Sequence, residues 1–244
     1  MPQTEKKLDF YIDDHALLYA LLNRASDRVK GTEGRSASER GVVLYGRERG
    51  ARCALRCLAD GQELTMKNYM LYGEWVDDRG WSKSELKSAA PVYHTNTLSC
   101  GWCDSWIKHD LLEYGKSYCD WIDVNLIYGF NPALELTIAQ TLSAGDPCCD
   151  FRWNSFALES EEAAAQHRAR RAELMPRVVR DFEYHCGHLL SALRRSYFFE
   201  FGAAVGKEIV DLALRDYAAL FGAEKVAAVQ TASEQDFLKI DFTA

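Results

Sequence analysis

The hydrophobic period changes along the chain, and that change limits the possible fold more than any other feature. In the first sixty or so residues, apolar positions recur at helical spacing. Leu17, Leu18, Leu21, Leu22, Ala25 and Val29 follow Asp13 and Asp14, which suit an N-cap, and Val42, Val43, Gly46, Gly50, Cys53, Ala54 and Cys57 form a second stripe. In the middle third the period drops to two. Val92 to Leu98 alternates and is rich in β-branched residues, so it predicts a strand. After Gly129-Phe130-Asn131-Pro132, Leu134, Leu136, Ile138, Gln140 and Leu142 oppose Glu135, Thr137 and Thr141. Ala144-Gly145-Asp146-Pro147 supplies a turn, and Cys149, Phe151 and Trp153 alternate again, which predicts a β-hairpin with one apolar face. Helical spacing lies between these strands, from Asp104 to Ile127. It returns at the end in the stripes Val178, Phe182, Cys186, Leu189, Leu193 and Val205, Ile209, Leu212, Tyr217, Leu220. The expected class is α+β: a small antiparallel β-sheet flanked by helices, with helical N- and C-terminal parts.

At 244 residues the chain can bury one substantial core, which predicts a single α+β domain over 1–244. Its expected parts are helices over 1–90, a strand, helix and hairpin core over 91–158, and C-terminal helices over 159–244. Lys30 to Ser36 reads as a break, with Ser36 and Glu39 as the capping box of a second helix that Asp60-Gly61 ends. A third helix is expected from Thr65 to Trp75, and Ser82 with Glu85 reads as the start of a short fourth. Glycines inside the second helix cost about 1 kcal/mol each relative to alanine, which implies that another backbone comes close there.

Charge narrows the partners. A net charge of −7 leaves no general basic face, so neither nucleic acid nor membrane is an expected partner. The basic run His167-Arg168-Ala169-Arg170-Arg171 follows Glu159, Glu161 and Glu162, the order of a solvated, dipole-matched helix face. Asp9, Asp13 and Asp14 interrupt the apolar residues after Met1-Pro2-Gln3-Thr4-Glu5-Lys6-Lys7, so no secretory segment is expected and the cytoplasm is the expected location. Eight cysteines are then thiols, ligands or core fillers rather than a disulfide framework. The apolar C-terminal helices suit a homodimer as well as packing on their own sheet.

The densest set of reactive side chains lies between His94 and Cys149. Cys119 and Asp123 are four apart in a predicted helix and share a face. They suit a nucleophile with its proton acceptor or two metal ligands; equally, Cys119 suits a core position beside Ile122 and Asp123 a cap or salt bridge. Cys100-Gly101-Trp102-Cys103 has the spacing of a zinc half-site or redox motif, but no second CxxC matches it and Cys148-Cys149 are adjacent. His185-Cys186-Gly187-His188 sets two imidazoles at a helix edge, of which His185 leans toward the core. His94 shares a strand face with Val92, Asn96 and Leu98, where a polar pair must find partners or line a cavity. No GxGxxG after a strand, P-loop, HExxH or GxSxG is present.

Five segments together resemble the L-2-amino-thiazoline-4-carboxylic acid hydrolase family. They are Leu44-Tyr45-Gly46-Arg47-Glu48-Arg49-Gly50, the Cys100-Gly101-Trp102 turn, Gly115-Lys116-Ser117-Tyr118-Cys119-Asp120-Trp121-Ile122-Asp123, Gly129-Phe130-Asn131-Pro132, and Leu142-Ser143-Ala144-Gly145-Asp146-Pro147-Cys148-Cys149-Asp150-Phe151. The likeness covers about residues 40 to 155, and Glu183-Tyr184-His185 with His188-Leu189 extends it. The stretch from Cys100 to Phe151 also resembles the 4-vinyl-reductase and Bet3-like ligand-binding fold. The family resemblance implies ring opening of 2-aminothiazoline-4-carboxylate to N-carbamoylcysteine, or of a related cyclic amidine, imide or amide. It carries over to His94, Cys100, Cys119, Asp123, Cys149 and His185, with Cys148 as an extra.

On that basis Cys119 is expected to attack as thiolate, with His94 or His185 as proton shuttle and Asp123 orienting the imidazole. Cys100, Asn131 and Cys149 are expected to line the substrate site, and Arg47 or Arg152 to hold a carboxylate through two parallel hydrogen bonds. This route expects no cofactor. Its alternative is Zn²⁺ held by Cys119, His94, Asp123 and His185, activating water. The rival to both is a non-catalytic small-ligand sensor of the Bet3 and 4-vinyl-reductase type, against which stands the lack of a recognisable helix-turn-helix or kinase partner.

Overall fold

The computed structural model describes residues 8–239; the stretch Met1 to Lys7 considered above lies outside them. Helix α1 spans Ile12–Lys30. Its first turn is closed by the Tyr11 N–H donating to the Asp14 carboxylate (2.8 Å), so Asp14 sits inside the helix rather than capping it. Gly31, at φ +58°, turns the chain in one residue into α2, Thr32–Ala59. The expected break at Lys30 to Ser36 thus shrinks to a single glycine, and Ser36 and Glu39 are interior to α2. Asp60-Gly61 does end it, and Thr65 caps α3, Met66–Tyr72, by accepting from the Asn68 N–H.

The Ser82–Glu85 expectation fails: Ser82–Ser88 is a strand, β1, so the helical N-terminal part ends before residue 90. Lys83, Ser84, Glu85 and Lys87 offer no apolar stripe to hold a helix onto a core, whereas pairing with β2, Tyr93–Cys100, satisfies the backbone. Charged side chains also suit a sheet edge. Two helices follow, α4 (Gly101–Lys108) and α5 (Leu112–Phe130), then β3 (Leu136–Gln140), a short 3-10 turn (Leu142–Ala144) and β4 (Cys149–Trp153). The C-terminal part is α6 (Glu161–Val178), α7 (Phe182–Phe221, broken at Gly202) and α8 (Ala223–Ala232). Val178 and Phe182, read as one stripe, belong to separate helices, because Asp181 caps α7 by accepting from the Tyr184 N–H.

The four strands form one antiparallel sheet in the order β1-β2-β4-β3. The α+β class therefore holds. Register puts Thr97 opposite Cys149 and Thr95 opposite Phe151, while His94 opposes Arg152 and Asn96 opposes Asp150. Since side chains alternate, Thr97, Cys149 and Phe151 share one face, and His94, Asn96, Asp150 and Arg152 share the other. The first face meets the helices: Trp153 stacks on Tyr69 of α3, and Tyr93 and Trp153 pack against the cluster that holds Met66 of α3 and Ile127 of α5.

The helical parts that flank the sheet also pack on each other. Helix α7 packs on both α1 and α2, burying Leu17, Leu18, Tyr45, Leu189, Leu193 and Tyr197. Helices α2 and α5 cross where glycines meet. A Cβ on Gly50 would lie 2.1 Å from the Leu126 carbonyl oxygen, and one on Gly129 would lie 2.2 Å from that of Arg47. The stripe glycines are thus explained by close backbone approach. Gly50→Ala should push these helices apart and cost roughly 2–3 kcal/mol, read as a lower urea midpoint with unchanged slope. An unchanged midpoint would show that the crossing tolerates a methyl group. Among the described residues, no helix is long and apolar enough to cross a membrane.

Candidate active site

A cavity of about 260 Å³ opens between α5, the start of α4 and the inner sheet face. Sites for drug-sized ligands usually run from about 300 to 1,000 Å³, so this volume suits a small molecule. Helix α5 contributes Tyr118, Cys119, Ile122 and Asp123; the sheet contributes Thr97, Cys149 and Phe151; and Cys100 and Trp102 stand where β2 becomes α4. The four-residue spacing of Cys119 and Asp123 does bring both side chains to one cavity.

The lip is set by local hydrogen bonds. The Asp77 carboxylate accepts the N–H groups of Arg79, Gly80, Trp81 and Ser82, fixing the turn that delivers Trp81 to the cavity. Arg171, expected on a solvated face, is half-buried and donates to the carbonyls of Leu71, Gly73 and Trp75, pinning the segment that carries Trp75. The Trp102 indole donates to His15 Nδ1 (3.1 Å), which locks that wall.

Apolar surroundings shape the acid–base character. Burial pushes the Asp123 carboxyl up to about 6, with the Arg49 guanidinium pulling the other way. Burial also pushes the Cys119 thiol well above its ordinary range, against a hydrogen bond with Ser143. Cys149 is raised by burial to about 11 despite the Leu142 N–H donated to its sulfur, and Cys100 is raised by burial despite the nearby Cys103 and Trp102 N–H groups. The cavity thiols are therefore protonated at neutral pH. Three polar groups of lining residues, Trp75 Nε1, Trp81 Nε1 and the Tyr118 hydroxyl, are buried with no hydrogen-bond partner among the described residues.

Several residues singled out in the sequence lie elsewhere. His94 points from the other sheet face, with Nε2 3.0 Å from Asp150 Oδ1, and Arg152 sits beside the same carboxylate. Arg47 donates to Asn125 (3.0 Å) and stacks over Tyr128 on the outer side of the α2–α5 contact. Asn131 is spent on the loop, donating to the Leu64 carbonyl and accepting from the Ala133 N–H. His185 is fully buried behind the wall, edge-on to Trp75 at 5.1 Å. Among the described residues, no histidine lines the cavity. The four residues named for zinc are therefore not gathered, and among the described residues no group of three or more His, Cys, Asp or Glu side chains is arranged to hold a metal ion.

Behind Trp75 lies a buried polar cluster that sequence reading missed. Glu74, fully buried, takes hydrogen bonds from Arg52 (2.9 and 2.8 Å), Arg56 (2.7 Å) and Arg49 (3.5 Å). Burial pushes this carboxyl up, but the Arg52 charge and hydrogen bonds, joined by Arg49, hold it well below its usual range. The Arg49 guanidinium stacks 3.8 Å from the Trp75 ring centroid. Since Trp102 donates to His15 Nδ1, His15 Nε2–H faces the Tyr45 hydroxyl (3.0 Å), which then donates to His185 Nδ1 (3.3 Å). Burial and Arg49 keep both imidazoles well below the usual range, hence neutral. His188 is drawn down by burial to about 3, so it meets Glu48 as a neutral donor (2.8 Å). One signal was available: Arg49, Arg52 and Arg56 recur at helical spacing within the stripe of Cys53 and Cys57.

A family model described as L-2-amino-thiazoline-4-carboxylic acid hydrolase matches residues 11–153, a span that runs from the start of α1 to the end of β4 and holds every residue lining the cavity. No curated protein and no solved structure matches the chain, so the likeness to 4-vinyl-reductase and Bet3-like folds has no structural neighbour behind it.

Proposed function

The chain belongs to the L-2-amino-thiazoline-4-carboxylic acid hydrolase family, and from that membership we propose that its cavity opens a small cyclic amidine acid by attack of water at the amidine carbon. Asp123 is the proton-transfer group. As carboxylate it takes a proton from water as the new C–O bond forms. It returns that proton to the ring sulfur as the C–S bond breaks and the electron pair leaves with sulfur. The resulting isourea tautomerises to a carbamoyl group, so one water is consumed and a thiol is released. The substrate carboxylate lies toward Trp75, Trp81 and Tyr118, whose donors have no partner among the described residues, and each buried donor left unsatisfied costs about 1–3 kcal/mol.

The observation that carries this reading is a lone carboxyl, lifted to about 6, in an otherwise apolar cavity bordered by unsatisfied donors. A carboxyl tuned near the working pH is what acid–base chemistry calls for. A thiolate at Cys119 has less support, because the cavity lacks an imidazole and burial favours the thiol.

The test is incubation with thiazoline, hydantoin and dihydropyrimidine acids, with products followed by mass. Ring-opened product carrying one added water is expected, and the compound returned unchanged after saturable binding would favour the sensor reading instead. Cys119→Ser should keep turnover within roughly tenfold, since losing a covalent nucleophile costs orders of magnitude more. The rate should fall as pH drops through about 6, where Asp123 gains its proton. A rate flat from pH 5 to 7 would remove Asp123 as the base.

A further inference from the structure

The basic run His167-Arg168-Ala169-Arg170-Arg171 does not form one solvated face. Arg168 is exposed and Arg171 turns inward to the carbonyls of Leu71, Gly73 and Trp75. His167 and Arg170, three residues apart and so on one side of α6, border a second cavity of about 220 Å³ against α3. Lys67 of α3 lines it too, and the lining holds no aspartate or glutamate. This cavity shares no residue with the one that Asp123 lines, and its α6 wall lies beyond residue 153, where the family match ends.

Its charge is one-sided. The Lys67 ammonium makes no hydrogen bond or ion pair among the described residues. Arg170 donates to Glu173 (2.9 Å), an exposed pair of the kind that holds weakly, and a guanidinium with five N–H donors keeps others free for a second acceptor. Asp60, which accepts from the hydroxyl of the lining Tyr72 (2.7 Å), is already answered by Arg177 (2.8 Å). His167 has its Nε2 shut off from solvent with no hydrogen-bond partner among the described residues. Burial lowers its pKa against a hydrogen bond with the Lys67 backbone, and the two charges that add to the lowering, on Lys67 and Arg171, are both positive.

We propose that this cavity binds a tetrahedral oxyanion, free phosphate or the phosphate end of a small ester, among Lys67, His167 and Arg170. Lys67 supplies a compact point charge and Arg170 a planar fork of donors, the two ways in which side chains hold phosphate. The neutral His167 adds a ring N–H. The volume lies below the range of about 300 to 1,000 Å³ usual for drug-sized ligands, which suits phosphate carrying at most a short organic group.

Sodium phosphate, titrated near neutral pH at an ionic strength held constant with sodium chloride, should shift the His167 ring signals saturably in NMR, the signals being assigned by their loss in His167→Gln. Sodium chloride alone should leave them in place. Lys67→Ala and Arg170→Ala, both at exposed positions, should each weaken phosphate roughly tenfold or more, the effect of losing one charge-assisted hydrogen bond. Lys83→Ala, at an exposed lysine on β1, should leave the affinity unchanged. Glycerol phosphate, titrated in the same way, separates the two sources: tighter binding than phosphate assigns the site to an ester, and weaker binding assigns it to the free ion. A shift that never saturates, an equal response to chloride, affinity kept in both the Lys67 and Arg170 variants, or an equal loss in Lys83→Ala would each overturn the proposal.

Discussion

Asp123→Asn should abolish most turnover and make the protein more stable, two effects of opposite value from one atom exchange. The loss follows from its proposed part in proton transfer, which is typically worth about 10²–10⁴-fold. The gain follows from where the carboxyl sits. Its value in the folded protein is about 6, against 3.8 in the unfolded chain, so the folded state binds the extra proton between these limits. Stability contributed by that proton is present at low pH and is lost as pH rises through about 6, because the carboxyl must then ionise in apolar surroundings. At pH 8 the full cost stands, at most about 3 kcal/mol for a shift of roughly two units. A neutral amide of the same shape removes it. Thermal unfolding at pH 8 should therefore show a raised midpoint for Asp123→Asn, with the difference shrinking toward pH 4. Turnover retained with an unchanged midpoint would mean that Asp123 is neither strained nor catalytic.

Glu74→Gln should produce the largest loss of stability in the molecule. Three guanidinium groups, on Arg49, Arg52 and Arg56, hold hydrogen bonds to this one carboxylate, and all four side chains are almost free of solvent. The Coulombic attraction that compensates for their desolvation disappears with the charge, leaving the cations buried without this counter-charge. Breaking such a pair costs about 3–5 kcal/mol, a large part of the roughly 5–15 kcal/mol by which domains are stable. At about 2–4 °C per kcal/mol for a chain of this size, the midpoint should drop by roughly 10 °C. Because Glu74 precedes Trp75, the variant should also loosen the cavity wall. A near-normal midpoint would mean that the guanidinium groups find water or Glu48 as substitutes.

The motifs that resemble a known family and the cavity lie in the same part of the chain, but which of their side chains meet there needed coordinates. Cys119 and Asp123 reach one cavity because a four-residue spacing on a helix fixes a common face whatever the helix packs against. Cys100 and Cys149 line the same cavity. His94 did not follow, because a strand has two faces of similar composition here: Asn96 and Leu98 on its side are no less apolar than Thr95 and Thr97 on the other. Which face met the helices was settled by the packing of Tyr93 and Trp153 on α3 and α5. Arg47 and Arg49 illustrate the same limit on a helix. Both lie in one motif two residues apart, yet Arg49 turns in beneath Trp75 while Arg47 stacks outward on Tyr128.

Features that depend on neighbours a few residues away are legible in the amino-acid order: the helical and two-residue periods, the hairpin with its Ala144 to Pro147 turn, the end of α2 at Asp60-Gly61, and the glycines that mark a close helix crossing. These are set by dihedral preferences and by the spacing of apolar side chains, which any short segment carries with it. That Ser82–Ser88 pairs as an edge strand emerges from long-range packing, since its backbone partner is β2 and its own side chains favour neither state strongly. Only the tertiary structure assembled His15, Tyr45, Arg49, Glu74, His185 and His188 from four separate segments and surrounded Asp123 with rings. Desolvation and charge act through space, and the groups that impose them on one carboxyl are distant along the chain.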